Sequence, residues 1–203
     1  MNGTASSAGF DHRIDPAITN IIDTYVLTEN YYQSVQTWVN SVNKGDFPLP
    51  PTTDDLRLQF VDLEKFKMVS DEIVWHSAKY KILFGEGASE ELKAQFKVIK
   101  VPGTTVTDNE IKQRIISAIN EFFDVTNWNF GESFYASELA TYVHQQLATV
   151  VASIVIVPQK ESSKFGNLFV VRAEPDEIFL STASVSDIII VNNYTTGNIK
   201  IGN

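Results

Sequence analysis

Thr107-Asp108-Asn109-Glu110-Ile111 opens a stretch, running on to Pro158, whose reading decides the fold. A threonine three residues ahead of a glutamate lets its oxygen accept from the Glu110 N–H while the glutamate reaches back to the Thr107 N–H. The spacing therefore predicts a helix start with both free donors satisfied. Ile111, Ile115, Ile119 and then Phe122 or Phe123 recur every three or four residues, giving one apolar helix face that something must cover. Thr126-Asn127-Trp128-Asn129-Phe130-Gly131-Glu132 reads as a turn, and Leu139, Val143, Leu147 and Val150 repeat the helical spacing beyond it. Val151-Ala152-Ser153-Ile154-Val155-Ile156-Val157-Pro158 is rich in β-branched residues and stops at a proline, as a largely buried strand would. With Phe96 to Val101 read as a strand closed by Pro102-Gly103, the order is strand, helix, helix, strand, which lays two helices on one face of a sheet.

Outward from this unit, Asn20 to Thr28 has strand composition, and Glu29 to Val42 has helical spacing with Tyr32, Val35, Val39 and Val42 on one side. Gly45-Asp46-Phe47-Pro48-Leu49-Pro50-Pro51 ends that helix, because proline has no N–H and restricts the residue before it. A further helix is expected near Thr53, with Asp54 and Asp55 in its first turn and Leu56, Phe60, Leu63 and Phe66 on its apolar face. Glu72 to Phe84 reads as extended or mixed. Gly85 to Ser89 reads as a turn, with Ser89 capping a short helix over Glu90 to Gln95. The tail carries β-prone runs at Asn167–Arg172, Glu177–Ser181, Asp187–Val191 and Asn198–Ile201, expected to form hairpins. The fold class is α+β: helices packed on a mixed or antiparallel sheet, with a strand-helix-helix-strand unit and C-terminal hairpins. We expect a disordered lead over 1–13, an N-terminal α/β subdomain over 14–95 and a C-terminal subdomain over 96–203.

The chain has 203 residues, is 43% hydrophobic and carries a net charge of −9, with no cysteine. That length supports a packed core, and the missing cysteines exclude disulfides, thiolate metal sites and cysteine nucleophiles. Nucleic acid and anionic membranes are not expected partners, since both call for a surplus of Lys and Arg. Lys65, Lys67, Lys79, Lys81, Lys93 and Lys97 are interleaved with Asp62, Glu64, Asp71, Glu72, Glu86, Glu90 and Glu91, the pattern of a solvated surface. No apolar run approaches the roughly 20 residues that span a bilayer. Met1 to Gly9 has neither the basic start nor the apolar run of a secretory signal. Such a start, with a strand-like end at Ile199-Lys200-Ile201, suggests a piece of a longer protein.

Motifs with chemistry are incomplete. His12, His76 and His144 are far apart and lack the spacing of a zinc site. Gly85-Glu86-Gly87 lacks the third glycine of a dinucleotide fingerprint and has Glu90 in its place, where an acid would repel a pyrophosphate. Around Ser133, Tyr135 stands where a nucleophile elbow requires glycine, so Ser133 reads as a helix cap. Asp54 with Asp55, and Asp176 with Glu177, are adjacent pairs better suited to a helix start or a solvated turn than to acid/base catalysis. Asn193-Tyr194-Thr195 fits the glycosylation pattern by chance. We assign no catalytic, cofactor-binding or metal-ligating residue and no cofactor. Tyr31, Tyr32 and Trp38, and then Trp128, Phe130, Phe134 and Tyr135, are either core or partner anchors. Trp128, Phe130 and Tyr135 are the candidate interface residues.

Asn20-Ile-Ile-Asp-Thr-Tyr-Val-Leu-Thr28, then Pro50-Pro51-Thr52 leading into Leu56, Lys67-Met68-Val69-Ser70-Asp71 and Lys79-Tyr80-Lys81-Ile82-Leu83-Phe84-Gly85 resemble a baseplate wedge protein of contractile-tailed phages of the T4-like type. The unit from Phe96 to Pro158, with its Trp128-Asn129-Phe130-Gly131-Glu132 turn, is similar to the C-terminal part of the wider baseplate J-like family. The resemblance covers the chain from about Ile14 onward. It implies a structural protein of the virion, present in the host cytoplasm during assembly, whose copies contact one another and other wedge proteins in a ring around the tail hub. It brings no catalytic residues, and the long N-terminal part of a complete subunit is not in this chain. Self-association is expected first as an isologous dimer, the commonest closed arrangement. A receptor- or ligand-binding module, favoured by a concave pocket lined with the aromatic groups, and a carbohydrate-active or peptide-cleaving enzyme are the alternatives.

Overall fold

Ile21–Val26 (β1) runs parallel to Glu72–Ser77 (β2), and between them lie the helices Glu29–Asn40 (α1) and Thr53–Gln59 (α2). The structure is a computed structural model that describes residues 21–41, 44–63, 72–160 and 164–191. After β2 the chain forms Lys79–Leu83 (β3), Ala94–Lys100 (β4), Asp108–Phe122 (α3), Ser133–Tyr135 (β5), Ala136–Gln146 (α4), Val151–Pro158 (β6), Val170–Arg172 (β7), Glu177–Ser181 (β8) and Ile188–Ile190 (β9). Four helices and nine strands among the described residues make an α+β fold. No helix there is long and apolar enough to cross a membrane. The lead over 1–13, His12, Val42, Phe66, Lys67–Asp71, Asn193–Thr195 and the strand expected at Asn198–Ile201 lie outside the described residues.

The strand-helix-helix-strand unit forms as its spacing predicts. β4 pairs antiparallel with β6, and α3 and α4 pack on each other and over the sheet. Ile111, Ile115 and Ile119 of α3 and Leu139 and Val143 of α4 are buried, as are Ala94, Phe96 and Val98 on alternate positions of β4. Thr107 caps α3 by accepting from the Glu110 N–H at 3.3 Å, while the Glu110 carboxylate turns to Arg114 at 2.6 Å, a helical neighbour four residues on. The expected reciprocal box appears instead at α2, where Thr52 and Asp55 bond each other's N–H. The Thr52 hydroxyl, donating to the Asp55 carboxylate at 2.7 Å, and then the Thr52 N–H hold that carboxyl below its usual pKa. β6 is less buried than its composition implies: Ile154 and Ile156 are buried, whereas Val155 is 54% exposed, because only one sheet face is covered by helices.

The tail differs more. No two of the described C-terminal strands pair with each other; β7 joins β5 antiparallel, β8 joins β3 in parallel, and β9 joins β4 in parallel. The expected hairpins are therefore replaced by long-range pairings to strands laid down much earlier in the chain. Pairing thus crosses residue 95, and Leu83, Phe84 and Leu92 share one core with residues 94–188. The continuous run Ile178-Phe179-Leu180 fits this position: Phe179 enters the larger core, and Leu180 packs with Tyr31 and Val35 of α1 on the other side. Lys79 meets Asp176 at 2.7 Å and Lys81 meets Glu177 at 2.6 Å, which helps to fix the β3–β8 register.

Three local readings are adjusted. Ser133 is the first residue of β5 and not a helix cap. Ser89 precedes a single 3-10 turn, Glu90–Leu92, without a side-chain cap bond. α2 ends at Gln59, so of its expected apolar face Leu56 is fully buried, Phe60 stacks on Trp75 at 5.3 Å, and Leu63 is 46% exposed.

The turn after β3 is set by Phe84 and Gly85, both left-handed at φ 62° and 64°. A Cβ on Gly85 would stand 1.9 Å from the Thr182 carbonyl oxygen, so only glycine fits there. Thr182 closes the same turn from the side: its N–H donates to the Leu83 carbonyl at 3.1 Å, its hydroxyl donates to the Phe84 carbonyl at 2.7 Å, and the same Thr182 hydroxyl oxygen accepts from the Gly87 N–H at 3.2 Å. We predict that Gly85→Ala lowers stability in urea denaturation by more than about 2 kcal/mol, from left-handed strain plus the clash. Thr182→Val, which leaves the buried Phe84 carbonyl without its donor, should cost about 1–3 kcal/mol.

Candidate interaction surfaces

Trp128, Phe130 and Tyr135 all lie on the connection from α3 to α4, but their environments differ. Asp124 accepts from the Thr126 hydroxyl at 2.6 Å and from the Thr126 N–H at 2.9 Å, which tightens the Val125–Asn127 turn and holds the Asp124 carboxyl below its usual pKa. Trp128 is thereby laid against the core. Its ring stacks on Phe123 at 5.7 Å, meets Phe179 edge-on at 5.0 Å, and its indole N–H donates to the Phe122 carbonyl at 2.9 Å. Phe130 is half-buried 6.0 Å from Tyr25, which itself stacks on His76. Tyr135 is 42% exposed. Phe134, the middle residue of β5 and the cross-strand partner of Val171, is fully buried, so neighbouring aromatics divide into core and surface by the period of the strand.

The same periodicities build a cleft. Ser133 and Tyr135 point to one side of β5, Glu138 and Tyr142 stand four apart on α4, and Glu121 and Phe122 end α3. Together with Trp128, Asn127 and Glu132 they line a groove of about 730 Å³ that is open to solvent. Trp128, Tyr135, Tyr142 and Phe122 supply aromatic walls; Glu121, Glu132 and Glu138 supply three carboxylates. None of these three has a salt-bridge partner among the described residues. Burial, and then the hydrogen bond and charge of Glu121, raise the pKa of the Tyr142 hydroxyl. Glu121, Glu138 and Tyr142 are residues the sequence reading did not nominate, although the four-residue step from Glu138 to Tyr142, offset by one from Leu139 and Val143, marks the neighbouring helix face.

A second surface lies on the N-terminal layer of β1, β2 and α2. Ile21, Ile22, Leu49, Leu58, Val61 and Leu63 are each between 40% and 88% exposed there. The layer holds a two-stranded parallel sheet, with α2 packed on β2 and Trp75 buried between them. Parallel pairs are normally covered on both faces; among the described residues no further strand joins this one, and apolar side chains around it are exposed.

The remaining candidates have structural roles. His76 pairs with Asp23 at 2.7 Å across β1 and β2, and His144 meets the Ala152 carbonyl at 3.1 Å. Among the described residues no three His, Cys, Asp or Glu side chains gather as metal ligands. Gly85 and Gly87 are turned toward Thr182 and form the turn described above. Trp38 donates to the Gly45 carbonyl at 2.8 Å, packs edge-on against Phe47, and has Lys44 4.9 Å above its ring. Compared with known proteins, the chain matches no family model and no curated sequence.

Tyr31 and Tyr80 sit 5.7 Å apart beneath α1, where a polar cavity of about 120 Å³ separates Tyr80 and Tyr32 from Asp124. Burial pushes the Tyr31 hydroxyl up to about 12, and burial, followed by the neighbouring tyrosines, raises Tyr80 further. The unfolded chain binds its tyrosine protons less tightly, so this stabilisation is complete below pH 10 and is lost as pH rises toward about 12. The urea midpoint should therefore fall steeply between about pH 10 and pH 12 and less steeply in Tyr31→Phe/Tyr80→Phe, where those two ionisations are gone.

Proposed function

We propose that this chain is a structural assembly subunit of a contractile-tail baseplate wedge, working through contacts with further copies of itself and with other wedge proteins. The observation that carries the assembly reading is the exposed apolar exterior of the N-terminal layer, where Leu49 is 88% and Leu58 78% exposed. Exposed large apolar side chains favour association, because covering them releases their hydration. The open edge of the β1–β2 pair adds backbone donors and acceptors that a neighbouring strand would satisfy. What directs the reading to a tail baseplate is the ordered resemblance running through Asn20–Thr28, Pro50–Leu56 and Lys79–Gly85 to the unit ending at Pro158. In this reading the protein occupies the virion tail and, during assembly, the host cytoplasm.

A ring requires each subunit to use more than one interface, and the N-terminal layer and the Trp128–Tyr135 cleft are separate surfaces. The cleft also supports the second reading, a binding module, since its aromatic walls form the concave lining such a module needs.

Light scattering across a concentration series tests the assembly reading. We expect the mass to rise with concentration toward a dimer, and Leu58→Glu/Val61→Glu to remain monomeric with its melting temperature within about 2 °C of the parent, both positions being exposed. A parent chain that stays monomeric and binds no wedge protein would count against the reading.

A further inference from the structure

We propose that the cleft between α3, β5 and α4 is a docking site for a basic segment of a partner protein, whose Lys or Arg side chains seat among Glu121, Glu132 and Glu138 against the rings of Tyr135, Trp128 and Tyr142. The inference does not depend on the baseplate assignment, and a chain that fails to self-associate leaves it intact.

The first argument is an inventory of donors. The Asn127 amide N–H donates to the Glu121 carbonyl at 2.8 Å, the Asn129 amide N–H to the Glu132 carboxylate at 2.7 Å, and the Trp128 indole N–H to the Phe122 carbonyl at 2.9 Å. One N–H of each asparagine and the indole N–H are thus engaged within the chain. What faces the cleft is mainly carboxylate oxygen and aromatic ring, with the hydroxyls of Ser133, Tyr135 and Tyr142, the last hydrogen-bonded to Glu121. A complementary ligand is therefore rich in donors and positively charged, which describes guanidinium and ammonium groups. An anion would meet three carboxylates and no basic side chain in the walls.

Charge gives the second argument. Three carboxylates line one groove with no basic residue in its walls. Arg172 is the cross-strand partner of Ser133 and an exposed side chain, but it does not line the cleft. Aromatic faces attract cations by their quadrupole, so the rings and the carboxylates favour the same ligand. A neutral saccharide would use the rings but gain little from the net charge, and Trp128 already has Phe123 stacked on it at 5.7 Å.

Shape selects a segment over a single group. A groove of about 730 Å³, walled by a strand and two helices and open along its length, exceeds one side chain and fits several residues of an extended peptide. The walls also belong to the packed aromatic core, so they are held in place before a partner arrives, which lowers the ordering cost of binding.

The test is fluorescence anisotropy on the full chain with a labelled six-residue arginine peptide, its citrulline counterpart, spermine and a six-unit oligosaccharide. We expect the arginine peptide to bind, the citrulline peptide not to, and Glu121→Gln/Glu132→Gln/Glu138→Gln to weaken binding by about tenfold or more, with a reduced salt dependence. Tyr135→Ala should weaken it by about threefold, as a partly exposed cation–π contact would. Asp46→Asn/Asp54→Asn/Glu86→Gln removes the same charge from exposed positions elsewhere and should change binding less than about twofold. Equal losses in the two triple variants would reduce the effect to overall charge and overturn the proposal. So would absence of peptide binding, a preference for the oligosaccharide, or binding of spermine with no binding of the peptide.

Discussion

The structure turns on Phe84, a bulky residue in the left-handed region at φ 62°. That conformation is unfavourable for any side chain with a Cβ, so the surroundings must impose it. They do so from several directions. The Phe84 N–H donates to the Leu92 carbonyl at 3.1 Å, its carbonyl accepts from the Thr182 hydroxyl at 2.7 Å, and its ring is fully buried. Around that ring stand Phe96 at 4.9 Å, Phe134 at 5.8 Å, Phe165 at 6.0 Å and Phe123 at 6.1 Å, mostly edge to face. One side chain thus touches β4, the end of α3, β5 and the loop before β7. The strain at its backbone is offset by ring contacts that no extended conformation of residue 84 would keep together.

The Phe84 turn also explains why the C-terminal strands return to the middle of the fold. Thr182 can clamp the turn only if β8 ends beside β3, and the parallel register from Lys79–Glu177 to Leu83–Ser181 delivers it there. β9 then continues to β4, so the tail adds one strand to each of two earlier strands where a hairpin would have paired with itself. Burying both faces of β8 between α1 and the aromatic core is what makes Ile178, Phe179 and Leu180 all apolar.

Which parts were legible in the sequence follows from the range of the interactions that fix them. The helices α3 and α4 and the strand β6 announce themselves through spacing within a few residues: Ile111 to Ile119, Leu139 to Val143, and the β-branched run to Pro158. The partners of β7, β8 and β9 lie 35 or more residues away and leave no local signature, so the gaps between Arg172, Glu177 and Asp187 read as hairpin turns. β5 is three residues long, too short for periodicity to register, and its loss from the reading made Ser133 look like a cap. The cleft was half legible. Trp128 and Tyr135 stood out as aromatics, but their different fates depend on the indole N–H reaching Phe122 and on Phe134 taking the inward position. The carboxylates looked ordinary because Glu121, Glu132 and Glu138 converge only after α3 and α4 pack.

The two proposed interaction surfaces differ in a way that bears on how each would work. The cleft shares its walls with the aromatic core: displacing Trp128 would disturb Phe123, Phe134 and Phe179 together, so its shape is coupled to the stability of the fold. The N-terminal layer has fewer ties. Among the described residues it holds to the rest through the chain running from β1 into α1 and from β2 into β3, with Leu27 packed beside Tyr31 and Val35, and through Tyr25 resting on Phe130. If that layer is covered by a neighbour in an assembly, the neighbour supplies burial that the layer lacks by itself, and the layer is then free to take the arrangement each neighbour requires. A ring whose subunits rearrange needs this pairing of a firm surface with an adjustable one, because an interface switches between two arrangements only when at least one side has a second packing available at small cost. Phe130 is the side chain at which the two meet, half-buried between the aromatic turn and Tyr25, and a displacement of the N-terminal layer would reach the connection that carries Trp128 and Tyr135 through that ring.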